Sequence, residues 1–167
     1  MFVPFESIAP DARIWIFQSS KQLSKTDAEA AGDILRAFTE NWAAHGAPLR
    51  ASFDIRYDYF IILAADENVN ETSGCSIDES VRVIKELEER FGTKLFDRQQ
   101  TAFLSGDAIK LVALRDLKEK FRQGIWNEST LTFNNLVDVK KQLESQWIVP
   151  AAQTWLKRYI PVQKVSG

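Results

Sequence analysis

The sequence predicts an α+β fold, and three observations predict it. Two short apolar segments, 13–17 and 60–65, carry the β-branched and aromatic residues that suit buried strands. Two longer stretches, 27–45 and 76–91, repeat apolar residues at helical spacing and each ends at a glycine. Between them, residues 49–59 alternate with the period of a strand that has one wet face.

Taken in order, Arg13-Ile14-Trp15-Ile16-Phe17 is the first strand. Thr26-Asp27-Ala28-Glu29 has the form of a capping box, in which hydroxyl and carboxylate satisfy orphan amides reciprocally. Behind it Ala31, Ile34, Leu35, Phe38 and Trp42 share one face, so a helix is expected from about Asp27 to His45, with Gly46 as its left-handed stop. In the next strand Leu49, Ala51, Phe53, Ile55 and Tyr57 face inward. Arg50, Ser52, Asp54, Arg56 and Asp58 face solvent, as at a sheet edge. A turn near Asp58 leads to Phe60–Ala65, apolar on both faces and therefore central. A polar loop, 66–74, follows. Ser76-Ile77-Asp78-Glu79 reads as a second capping box, opening a helix that Gly92 closes.

Beyond it, Thr101–Leu104 and Ala108–Val112 flank Ser105-Gly106-Asp107, a hairpin with a three-residue loop. A short helix is expected over Arg115–Gln123, and two more over Leu136–Trp147 and Ala151–Ile160, separated by Pro150. Strand, helix, strand, strand, helix, strand is the ferredoxin-like βαββαβ order, an antiparallel sheet packed by helices. The extra hairpin strand and a helical C-terminal extension are additions to it. The expected organisation is one domain, with an α+β core over 1–124 and the extension over 125–167.

Composition narrows the function classes. The chain has 167 residues, 45% hydrophobic and 26% charged, with a formal net charge of −2. Collagenous, disordered and disulfide-framed chains are excluded. The near-balanced charge offers no electrostatic footprint for nucleic acid. The run Phe60–Ala65 is far too short for a membrane span, and no basic-then-apolar leader opens the chain. The lone Cys75 cannot close an internal disulfide, which makes a reducing, cytoplasmic setting the expectation.

Topology suggests where chemistry would gather. In a ferredoxin-like sheet the end of the first helix, at His45-Gly46, lies at the same pole as the loop 66–74 and the start of the second helix. That pole would hold the only His, the only Cys and several carboxylates. Three chemistries are open to them. Cys75 is a candidate nucleophile favoured by the positive end of a helix, with His45 as base and Asp66 or Glu67 orienting it. Asp66, Glu67, Glu71 and Asp78 are candidate oxygen ligands for a hard cation. The amides of Gly74, Cys75 and Ser76, with Asp78 in the same first turn, are a candidate site for a small anion. Each has a structural counterpart: a small half-buried Cys, a solvated acidic loop, a plain helix cap, and a His stabilised at a helix end. The balance favours a binding or interaction module without cofactors, acting on a protein partner or as a homodimer through sheet or C-terminal surfaces.

Four segments also resemble a known group: Phe2-Val3-Pro4-Phe5, Trp42-Ala43-Ala44-His45-Gly46, Ser73-Gly74-Cys75-Ser76-Ile77-Asp78 and Leu131-Thr132-Phe133-Asn134-Asn135-Leu136-Val137. They look like a family of short, uncharacterised bacterial proteins that often carry the label "ABC transporter ATPase". The resemblance runs nearly end to end and implies no substrate or cofactor. The residues contradict the label itself. A phosphate-cradling Walker loop needs Gly, four residues, then Gly-Lys-Ser/Thr, yet no two of the seven glycines stand five apart. Dinucleotide-binding, CxxC, HExxH and GxSxG patterns are equally missing.

Overall fold

The structure is a computed structural model and describes residues 1–162. These divide into two compact units. The first comprises Met1–Asp97 together with Asn135–Leu143. The second comprises Arg98–Asn134 together with the described residues from Glu144 onward.

The first unit is built on three antiparallel strands, β1 (Arg13–Gln18), β4 (Ala51–Arg56) and β5 (Phe60–Ala65), in the order β1-β5-β4. Two helices, α1 (Lys25–Asn41) and α2 (Gly74–Phe91), belong to it, as does a two-stranded ribbon of β2 (Ala43–Ala44) and β3 (Ala47–Pro48). Every residue of β5 is buried, as its unbroken apolar run requires of a central strand. In register, Leu63 lies between Trp15 and Phe53, and Ile61 between Phe17 and Ile55. This face packs on Ala31 and Leu35 of α1 and on Ile84 and Leu87 of α2, forming one core cluster. Each buried Leu or Ile side chain there contributes roughly 1.5–3 kcal/mol of transfer free energy.

The free side of β1 is met by residues far along the chain. Arg13 bridges Val139 antiparallel, Ile14 N donates to Asp138 O (2.9 Å), and Lys140 N donates to Ala12 O (2.9 Å). Lys140 Nζ adds a 2.8 Å bond to Ile8 O and lies over the Phe5 ring.

The second unit holds β6 (Gln100–Ser105), β7 (Ala108–Ala113), α3 (Leu117–Arg122), β8 (Leu131–Phe133) and β9 (Ile148–Pro150). Its sheet order is β7-β6-β8-β9. Its core centres on Trp126, 1% exposed, stacked on Phe103 at 5.3 Å and edge-on to Phe121 at 5.0 Å. The Trp126 indole donates to Leu117 O at 2.8 Å, which satisfies its one polar atom. A four-residue helix, α4 (Gln142–Ser145), spans the point in the sequence, between Leu143 and Glu144, where the chain passes from the first unit's residues to the second's.

An α+β architecture with antiparallel sheets is therefore what the chain adopts, and several finer expectations are revised. The strand expected to complete the first sheet, Thr101–Leu104, pairs instead within the second unit. Its hairpin forms, but Ser105 pairs with Ala108, so the loop is two residues and not three. The division at residue 124 does not coincide with either unit.

The helical C-terminal extension is not observed. Over 136–147 only α4 is helical, because Gln142 Oε1 accepts from Asp138 N and Val139 N while neighbouring backbone groups bond to the 10–14 segment. Over 151–160 there are two 3-10 turns, Ala151–Gln153 and Trp155–Tyr159. Thr154 separates them: its Oγ1 donates to Ala151 O and accepts from Leu156 N, local bonds that compete with a continuous helix.

Candidate functional site

The first helix ends earlier than its apolar stripe suggests. It stops at Asn41, whose Nδ2 donates to Ala37 O (2.9 Å), and Trp42 leaves it in an extended conformation. Trp42 is 1% exposed, packs edge-on to Trp15 at 5.8 Å, and donates from its indole to Ser76 O in α2 at 2.8 Å. A buried indole N–H requires an acceptor, and reaching this one diverts the chain from the helical path. His45 consequently sits in a turn and not in a helix. With φ of +54° at His45 and +75° at Gly46, the pair forms the tip of the β2–β3 ribbon, a primed turn that selects Gly at its second position. The dipole stabilisation expected of a helix-terminal His therefore has no basis here.

Both helix starts are also displaced. At α1 the cap is Ser24, whose Oγ accepts from Asp27 N, and not Thr26. At α2 the cap is Ser73: its Oγ accepts from Ser76 N (3.1 Å), while Ser76 Oγ accepts from Ser73 N (2.7 Å). The capping box is thus Ser73–Ser76 and not Ser76–Glu79. Cys75 becomes the second residue of the helix, exposed to solvent.

The loop between β5 and α2 is held by its own polar groups. Asp66, 6% exposed, accepts from Asn68 N (3.1 Å) and Asn68 Nδ2 (3.1 Å), and its other oxygen stands 3.9 Å from Arg50 Nε. Asn68 Nδ2 also donates to Asp11. Glu67 Oε2 accepts from both the amide and the hydroxyl of Thr72 at 2.9 Å, and Oε1 lies 3.8 Å from Arg13. Asn70 Nδ2 donates to Ala44 O (2.9 Å) and Ala47 O (3.1 Å), gripping the ribbon on both sides of His45-Gly46.

These bonds decide what the expected site residues can do together. The bonds of Trp42 and Asn70 bring the His-Gly turn and the Cys-Ser helix start to one end of the first unit. They do not connect them chemically: neither the His45 ring nor the Cys75 thiol makes a hydrogen bond among the described residues, and both are exposed. Asp66 cannot orient His45 while both its oxygens face Asn68 and Arg50. The cation set fails for a similar reason. Glu67 is committed to Thr72 and Arg13, Glu71 and Asp78 are exposed, and no group of three or more His, Cys, Asp or Glu converges among the described residues. At Gly74-Cys75-Ser76 the Ser76 amide, which an anion would need, already serves the cap.

Sequence reasoning missed Asn70, Asn68, Thr72 and Trp42, which build this corner. The available signals were a loop dense in Asn and Thr and a Trp at a helix end, both of which require partners once buried. Comparison with protein-family models, characterised proteins and solved structures returns no match.

Proposed function

We propose that this protein is a cytoplasmic, non-catalytic binding module, and that the corner joining the β2–β3 ribbon, the loop 66–73 and the first turn of α2 is its recognition surface. The supporting observation is the division of labour among the corner's side chains. Asp66, Glu67, Asn68, Asn70 and Thr72 are spent on loop shape. His45, Val69, Glu71, Cys75 and Asp78 stay exposed on the backbone so fixed. A surface whose conformation is set before binding loses little entropy on contact, which favours recognition. The same arrangement disfavours a Cys75–His45 couple, since a base must stand within hydrogen-bond reach of the thiol it activates.

The test is a photo-crosslinking residue at Val69, which is 63% exposed, with a second placed at Glu128 in the other unit. Discrete adducts from Val69 alone, lost in a Glu71→Lys/Asp78→Lys variant of unchanged melting temperature, are the expected result. Adducts equally abundant from both positions would overturn the assignment of the corner. Light scattering then identifies a second copy of the chain as partner by a doubling of the 19.0 kDa mass.

The fold reading belongs to the same proposal. The first unit supplies β1, α1, β4, β5 and α2 in ferredoxin-like sequence, and the place beside β1 is taken by Asp138–Lys140, running antiparallel to it. We read this segment as a shortened fourth strand, reached after the first stretch of the second unit, Arg98–Asn134, has been inserted. The resemblance to the bacterial family labelled as transporter ATPases is retained with it as a grouping, without the label's activity.

A further inference from the structure

We draw no further inference here: the strongest candidate, the half-exposed apolar face of the four-stranded sheet where Leu104, Ile109 and Leu131 lie together, has nothing in the structure to show what covers it.

Discussion

Trp42 and Asn70 are the side chains on which the corner depends, and each makes a bond whose loss is measurable. Trp42→Phe keeps most of the apolar contact with Trp15 and Phe38 but removes the donor to Ser76 O. The expected cost is about 1–2 kcal/mol, read from urea unfolding. Asn70→Ala removes two donations to the ribbon from a partly exposed position. It is expected to cost about 0.5–1.5 kcal/mol and to raise amide exchange in 43–48 more than in β5. Equal exchange changes in both segments would show that Asn70 does not act locally. At this scale the sequence was only partly legible. It identified His45, Cys75 and the acidic loop as a group sharing one end, because chain direction is a property of the strand and helix order. It did not reveal that Asp66 and Glu67 are satisfied by Asn68, Arg50, Thr72 and Arg13, because such pairings depend on rotamers and loop geometry that no periodicity encodes.

Among the elements, caps and turns carry the clearest predictions. Ser73 begins α2 through a reciprocal pair of bonds, so Ser73→Ala should cost about 1 kcal/mol. For a chain of this size that corresponds to roughly 2–4 °C in melting temperature. Gly92 closes the same helix at φ +59°, where a Cβ meets nothing closer than Lys21 Nζ at 3.7 Å. Gly92→Ala is therefore strained by backbone conformation and not by crowding, at about 1–2 kcal/mol. The β4–β5 turn offers the opposite case. Tyr57 and Asp58 both adopt φ of +57°, and the carbonyl of Asp58 accepts from Leu23 N. Asp58→Gly keeps that backbone bond and relieves the left-handed strain, so it should raise stability by about 0.5–1 kcal/mol. A fall in melting temperature would show that the Asp58 side chain has a stabilising role. Strands and long helices were legible because burial imposes a period over many residues. Helix boundaries were displaced by a few residues because several hydroxyls competed to cap each start: Ser24 with Thr26, and Ser73 with Ser76. The expected helix over 151–160 failed because ten residues between Pro150 and Pro161 cannot offset the cost of nucleation once Thr154 bonds locally.

For the whole molecule, the sequence indicated an α+β chain through the order and periodicity of its strands and helices, with enough apolar residues for real cores. It gave no sign that two units interleave along the sequence, since the return of 135–143 to the first unit follows from long-range pairing with β1. The functional account rests on a single relation within that first unit: the His-Gly turn and the Cys-Ser helix start are neighbours without being chemical partners. The rate of Cys75 alkylation by iodoacetamide at pH 6 and pH 7 tests this directly, in the native chain and in His45→Ala. Cys75 is the only cysteine, so the reaction reports one site. The account predicts the same rate in both proteins at each pH, no faster than a free thiol. A rate in the native chain tenfold or more above that of His45→Ala would contradict it and make Cys75 and His45 a working pair.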